Sequence, residues 1–194
     1  MGLFDPKIAL KEYFPFLSDD ELELLLSICE YKDYPVKSII MKSGVISKKA
    51  FLILEGSVRG YMLNESGHEK NILLRSRGIF VADADAVFGH QPLKMNLETL
   101  DQTKILLFSI PEFEALANKK EGLGQLYINS LKEAILRLTY RVHSLITMTA
   151  EERYLDLLDK NPQFLKDAYD KYVANYLGIT PVSFSRIKKR LNRS

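Results

Sequence analysis

The sequence predicts an α+β chain with three successive parts: an all-β domain, one long helix and a pair of short C-terminal helices. Three observations support this prediction. From Tyr34 to about Phe108, short apolar or alternating runs are separated by regularly spaced glycines, which is typical of a β-sandwich or barrel. From about Leu123 to Met148, apolar residues recur every three or four positions. From Tyr169 onwards, two helical patterns flank a Gly-Ile-Thr turn.

Local signals set the limits of the β domain. Ser18 and Glu21 form a capping box, which predicts that a helix begins there before the first strand. The stretch from Asn64 to Gly67 is predicted to be a tight hairpin turn. The other turn glycines are Gly44, Gly56 and Gly78. The segment that begins at Ser109 is predicted to open the helical part of the chain.

The long helix carries six apolar residues at spacings of three, four, three, four and three: Ile128, Leu131, Ile135, Leu138, Val142 and Leu145. We call this row the seam. A repeat of 3.5 residues is the pattern of a coiled coil, and it predicts that two copies of the chain pair in parallel along the seam. The alternative is that the helix packs only on its own β domain. We expect part of the helix to pack on the β domain, through Leu123, Leu126 and Leu136.

The C-terminal pair has the sequence form of a helix-turn-helix. Gly178 can take the left-handed conformation that ends the first helix. Thr180 is placed to cap the second helix, and Pro181 occupies its first position. The predicted buried anchors are Val173, Ala174, Leu177, Phe184, Ile187 and Leu191. This pattern predicts a second helix that enters the major groove of DNA, and the alternative is an ordinary helical hairpin with a solvated basic end.

Charge is distributed unevenly along the chain. The formal net charge is only +2, yet no acidic residue occurs after Asp170. Within the second helix, Val182 and Ser183 are predicted to reach base edges and Arg186 to pair with guanine. The three cations that follow are predicted to meet phosphates. The full set predicted to face DNA is Thr180, Val182, Ser183, Ser185, Arg186, Lys188, Lys189 and Arg190.

Composition excludes several classes of protein. With 46% hydrophobic and 27% charged residues, the chain has an ordinary globular composition. Cys29 is the only cysteine, so we expect no disulfide framework, iron–sulfur cluster or zinc finger. No signal peptide or apolar run of transmembrane length is present, so we expect a cytoplasmic protein without membrane contact. No catalytic grouping, phosphate loop or metal-ligand cluster stands out, and we expect neither an enzyme nor a metal site.

Two stretches resemble the cyclic-AMP receptor protein/FNR (Crp/Fnr) family of bacterial transcription regulators. They read FLILEGSVRGYMLNESGHEKNILL and YVANYLGITPVSFSRIKKRL, and the second is especially similar to the LGITPxxxSRI versions of Bacteroidetes members. The resemblance implies a cyclic-nucleotide-binding-like β-roll (a double-stranded β-helix) over residues 1–118 and a dimerisation helix over 119–148. It also implies a helix-turn-helix (winged-helix-like) DNA-binding domain over 149–194.

The resemblance also implies partners: double-stranded DNA, a second copy of the chain and RNA polymerase. Arg186 stands where family members carry an arginine that reads the operator. Val182 stands where many relatives carry an acidic residue that contacts a base, and a valine offers only apolar contact, for example to a thymine methyl group.

In cyclic-nucleotide-binding relatives, a Gly-Glu pair and a later Arg-Ser or Arg-Thr pair hold the ligand. Here Ala82 and Asp83 fall in the region of the first pair, and Leu93 and Lys94 replace the second. Lys94 offers one cation and Asp83 or Asp85 one carboxylate, without the bidentate fork of an arginine. We therefore predict no cofactor and no binding of cyclic AMP. A different small effector, or none, is expected in a pocket near Asp83, Asp85 and Lys94.

These inferences predict a homodimeric, sequence-specific DNA-binding regulator. A signal in the β-roll would shift the long helices and reorient the two recognition helices toward half-sites one DNA turn apart. The alternative is a small-molecule-binding module that regulates a partner protein and uses its basic end electrostatically. Sequence-dependent DNA binding at moderate salt separates the two, because non-specific electrostatic binding falls steeply with salt.

Overall fold

The structure is a computed structural model that describes residues 4–162, 164 and 169–191. Its helices are α1 (Pro6–Tyr13), α2 (Asp19–Ser27), α3 (Ala84–Val87), α4 (Ile110–Ala117), α5 (Glu121–Thr147), α6 (Ala150–Lys160), α7 (Asp170–Tyr176) and α8 (Pro181–Leu191). Its strands are β1 (Glu30–Tyr34), β2 (Ile39–Met41), β3 (Lys49–Glu55), β4 (Ser57–Leu63), β5 (Glu69–Ser76), β6 (Phe80–Val81), β7 (Asn96–Thr99) and β8 (Thr103–Ser109). The predicted α+β class is confirmed.

The strands form two antiparallel sheets of four strands each, in the orders β1-β8-β3-β6 and β2-β7-β4-β5. Apolar side chains such as Phe51, Val58 and Leu97 fill the space between them. The predicted turn glycines have positive φ. At Gly56 (φ +85°), a Cβ atom would lie only 2.5 Å from the carbonyl oxygen of Gln102, so this turn accepts only glycine. The predicted β domain is confirmed, and of the two predicted forms, sandwich or barrel, it has two facing sheets.

The N-terminal helices join the β-roll to the start of α5. The predicted capping box is present, since the Ser18 hydroxyl accepts from the Glu21 N–H and Glu21 accepts from the Ser18 N–H. The Glu21 carboxylate also accepts from the Gly122 N–H at 2.8 Å, which ties α2 to α5. Cys29 follows α2 and is half-buried. It packs against the apolar cluster that includes Leu22 and Leu25. Burial raises the pKa of its thiol to about 12, so it behaves as a small apolar side chain.

Helix α5 buries its apolar side chains against the β-roll in its first half. Leu123 and Leu126 are buried there, as predicted. The same prediction for Leu136 was wrong, because this side chain points away from the β-roll and is 69% exposed. Leu131 lies half-buried. The other five seam residues each expose between 46% and 63% of their surface. The described part of the chain leaves this apolar row largely uncovered.

The C-terminal helices have their own apolar core, which includes Tyr154, Val173, Ala174, Leu177 and Phe184. A second capping box, Thr149 with Glu152, starts α6 directly after α5. The features predicted for the turn between α7 and α8 are present. Gly178 has φ +74°, and the Thr180 hydroxyl accepts from the Ser183 N–H at 3.1 Å. All six predicted anchors face this core, although Leu191 is only half-buried.

Candidate functional site

One face of α8 is exposed and basic. Val182, Ser185, Arg186 and Lys189 are all exposed and fall on one side of the helix, while Phe184 and Ile187 are buried on the other. We call these four residues the exposed face of α8. The apolar anchors Phe184 and Ile187 hold α8 against α6 and α7, and this packing fixes the orientation of the exposed face. A helix held in this way can present its outer side chains to a groove.

Two predicted DNA-facing hydroxyls lie at the N-terminal end of α8 and contact each other. The Thr180 and Ser183 hydroxyl oxygens are 3.0 Å apart, in addition to the backbone capping bond. Ser183 is half-buried. Both side chains therefore stabilise the start of the helix, where the backbone N–H groups favour a nearby anion such as a phosphate.

The basic residues of α8 divide into two pairs. Lys188 donates to both carboxylate oxygens of Asp170, at 3.0 and 3.1 Å, and Arg190 forms an ion pair with Glu151. Within the described residues, Arg186 and Lys189 have no acidic partner within the 4.0 Å of an ion pair. Phosphates would have to compete with carboxylates for the first pair, whereas Arg186 and Lys189 are already available to a ligand.

The C-terminal helices dock on the β-roll through two amide side chains. The Asn175 side-chain oxygen accepts from the Asn71 N–H at 2.6 Å, and its NH2 group donates to the Glu69 carbonyl at 2.7 Å. The Asn71 side chain in turn donates to the Tyr172 carbonyl at 2.8 Å. We call Asn71 and Asn175 the amide bridge. It connects β5 directly to α7, the first helix of the helix-turn-helix.

Beneath the amide bridge lies a buried arginine that the sequence analysis did not single out. Arg59 is 1% exposed and donates to both carboxylate oxygens of Glu98 at 3.1 Å, to Glu69 at 2.6 Å and to the Asn71 side chain at 3.1 Å. Its guanidinium also stacks on the Tyr172 ring, 3.8 Å from the centroid. Burial opposes the charge, but the hydrogen bonds to Glu69 and Glu98 outweigh it and raise the pKa of Arg59.

The three residues predicted for an effector pocket lie close together but have structural partners. Asp83 is buried at the start of α3, and its carboxylate accepts from the N–H groups of Asp85, Ala86, Lys94 and Met95. Lys94 and Asp85 pair with each other at 3.0 Å on the surface. The geometry therefore corrects the assignment of Asp83 as a ligand carboxylate, because backbone groups of its own loop use both of its oxygens.

The cavity beside this segment has a different lining. It lies between the β-roll and α5 and has a volume of about 160 Å³. Five aromatic side chains line it: Phe80, Phe88, Phe108, Phe113 and Tyr127. Arg75 and Arg137 also line it, and Asp83, Asp85 and Lys94 do not. The sequence signal was weak, because four of the aromatic residues come from four separate elements and Phe88 follows α3.

Among the described residues, no three side chains of His, Cys, Asp or Glu come together in a way that would hold a metal ion. Among the same residues, no helix combines the length and apolar character needed to cross a bilayer.

Comparison with known proteins agrees with this architecture. Residues 31–120 match the family model for the cyclic nucleotide-binding domain. The anaerobic regulatory protein of Haemophilus influenzae is 28% identical to the chain over 193 residues, which cover 92% of this chain and 74% of that protein. The β-roll over these residues therefore has the cyclic-nucleotide-binding fold.

Solved structures extend the likeness to the C-terminal helices. CLP of Xanthomonas campestris, described as a c-di-GMP-responsive global regulator, superposes with a TM-score of 0.69 at 16% identity, over 91% of this chain and 92% of that chain. FixK2 of Bradyrhizobium japonicum gives 0.71 at 16% identity, over 86% of this chain and 85% of that chain. The predicted order of β-roll, long helix and C-terminal helices is confirmed as a fold.

Proposed function

We propose that the chain is a transcription regulator of the Crp/Fnr family, which binds DNA sequence-specifically as a homodimer and senses an effector through its β-roll. The exposed face of α8 carries the proposal, since it combines Arg186 and Lys189 with small or apolar side chains on a firmly packed helix. The regulatory names of the relatives support the same reading. RNA polymerase remains a predicted further partner, and placement near the Bacteroidetes members remains a prediction.

The seam supports the dimer. A stable monomer seldom leaves a continuous row of large apolar side chains on one helix uncovered, and a second α5 offers a matching row. A parallel pair of α5 helices relates two copies of α8 by a twofold axis. Such pairs of recognition helices read half-sites one DNA turn apart.

The proposed mechanism has two states. The amide bridge and Arg59 hold α7 against β5, and α7 determines where α8 points. In one state these contacts are formed, and in the other they are broken. An effector that binds one state more tightly than the other shifts the population toward the state it prefers. DNA affinity then follows the position of α8.

The alternative remains a small-molecule-binding module that regulates a partner protein. The ion pairs of Lys188 and Arg190 favour this reading, because they partly neutralise the basic end that would meet DNA. A comparison of preferred and scrambled duplexes across a salt series separates the two functions. A preference for one sequence that persists at moderate salt supports the regulator.

Arg186→Ala is expected to weaken binding to the preferred duplex by about 1–3 kcal/mol and to relax the preference at one base pair per half-site. The reason is that Arg186 is exposed one turn into α8 and can place its guanidinium against a guanine edge. The preferred duplex is first selected from random sequence, and binding is then measured by fluorescence anisotropy on that duplex and on a scrambled one.

Lys189→Ala is the matched control, because it removes one cation from the same exposed face of α8. It should weaken binding to both duplexes almost equally and lower the salt slope by about one unit. If Arg186→Ala also weakens both duplexes equally, Arg186 contacts phosphate, and base reading must be assigned to Val182 and Ser183.

Cyclic AMP and cyclic GMP are expected to give no binding heat with the purified protein. The region of the family's Gly-Glu pair contains Asp83, whose carboxylate is used by its own loop, and Lys94 is paired with Asp85. At the position of the family's Arg-Ser pair, a cyclic phosphate would meet Leu93 and Lys94 instead of a bidentate guanidinium. Isothermal calorimetry tests this directly. Micromolar affinity for either nucleotide would show that the pocket has been rebuilt with other residues.

A further inference from the structure

We propose that the cavity between the β-roll and α5 binds a small aromatic carboxylate, with its ring among the phenylalanine side chains and its carboxylate between Arg75 and Arg137. The proposal names the ligand class of the sensor domain and rests on the proposed function for that role.

The cavity suits an aromatic ring in size and lining. Its volume of about 160 Å³ is close to the roughly 150 Å³ of an engineered protein cavity that binds benzene. Three of the lining rings already pack on one another: Phe108 meets Phe113 edge-on with centroids 5.3 Å apart, and Phe80 stacks on Phe113 at 6.2 Å. Phe88 also lines the cavity and is 52% exposed. A guest ring would extend this cluster and cover Phe88.

The charged side chains of the lining have a net positive charge. Arg75 and Arg137 meet one carboxylate there, that of Glu133, which Arg137 contacts across one helical turn. Arg75 donates to the Leu74 carbonyl at 2.9 Å. The Arg137 Nε atom is the one buried side-chain nitrogen or oxygen atom among the described residues that lacks a hydrogen-bond partner. Two guanidinium groups against one carboxylate leave a charge of +1, which a single carboxylate would neutralise.

The local electrostatics agree with this geometry. Burial lowers the pKa of the Arg75 guanidinium, and repulsion from Arg137 lowers it further. An anion placed between the two groups would relieve both effects. Because guanidinium groups bind carboxylates through two parallel hydrogen bonds, this position favours an acid over its neutral amide.

The same two arginines provide a route to the C-terminal helices. They also line a second cleft of about 120 Å³, together with Tyr176 and Leu177 at the end of α7. A carboxylate that draws Arg75 and Arg137 toward the cavity would change the surface on which α7 packs. Ligand binding would thereby affect the docking of the helix-turn-helix.

The test uses 3-phenylpropanoate and its neutral amide, titrated calorimetrically into the full chain in the absence of DNA. The acid is expected to bind, and the amide to bind roughly tenfold more weakly. Arg137→Gln should abolish the difference between the two, and Arg137→Lys should retain part of it. Ala82→Leu, which enlarges a half-buried side chain on the cavity wall away from the seam, should weaken both. Lys132→Gln is the matched control, because it removes a cation of α5 that does not line the cavity.

Three results would overturn the proposal: no binding of the acid at millimolar concentration, equal binding of acid and amide, or acid binding that Ala82→Leu leaves unchanged. Thermal melting of each variant shows whether it remains folded. Because DNA is absent, a failure of the proposed regulator function leaves these titrations unaffected. Acid binding without any DNA preference would preserve the ligand site and remove only its regulatory role.

Discussion

Leu138→Glu is expected to convert the protein from a dimer into a monomer. Leu138 is the fourth of six seam residues and is 63% exposed in the single chain, so a partner helix must cover it in the proposed dimer. The substitution would bury two like charges opposite each other near the centre of the coiled coil. A buried, unpaired charge costs about 3–5 kcal/mol, which corresponds to a rise of roughly 100-fold or more in the dissociation constant. Light scattering over a concentration series measures the change.

Leu136→Glu is the matched control for this experiment. The same substitution falls on the same helix two positions away, but Leu136 lies off the seam and is 69% exposed. It should leave the dimer intact. A parent protein that is monomeric at tens of micromolar would contradict the seam as an interface. So would equal dissociation by the two variants.

Arg59→Met is expected to lower the free energy of unfolding by about 3–5 kcal/mol, because it leaves the largely buried Glu98 carboxylate without its cation. The side chain sits between two carboxylates, an amide and the Tyr172 ring, so the apolar replacement satisfies none of its partners. For a chain of this size, the loss corresponds to a fall of roughly 6–20 °C in melting temperature. Chemical denaturation and thermal melting both report it.

Two further variants show whether charge is the cause. Lys94→Met removes a cation from a half-exposed ion pair, where the expected loss is about 0–1 kcal/mol. The double substitution Arg59→Met with Glu98→Gln should recover part of the stability, because a neutral amide needs no cation. If Arg59→Met is as mild as Lys94→Met, the buried network does not stabilise the fold as described.

The features that the sequence predicted correctly depend on neighbouring residues. The cap at Thr180 and the left-handed turn at Gly178 each follow from a few adjacent positions, and the structure contains both. The strands follow from short apolar or alternating runs that are broken by glycines. Such signals are local, so a single sequence can reveal them.

The features that the sequence did not reveal depend on contacts between distant residues. Lys188 meets Asp170 across the turn of the helix-turn-helix, and Arg59 meets Glu98 on a neighbouring strand 39 positions later. Leu136 is as apolar as the other leucines of α5, but it lies on a side of the helix that faces away from the β-roll. Asp83 resembled a ligand carboxylate, and only the fold shows that its loop surrounds it.

The amide bridge has a consequence for the open edge of a sheet. Strand β5 pairs with β4 on one side, and among the described residues no strand pairs with its other side. The Asn175 amide accepts from the Asn71 N–H and donates to the Glu69 carbonyl, which is how a neighbouring strand would pair there. When α7 leaves, β5 becomes an exposed edge strand, able to pair with an extended segment of another chain. The docked helix therefore also protects the β-roll against aggregation through this edge.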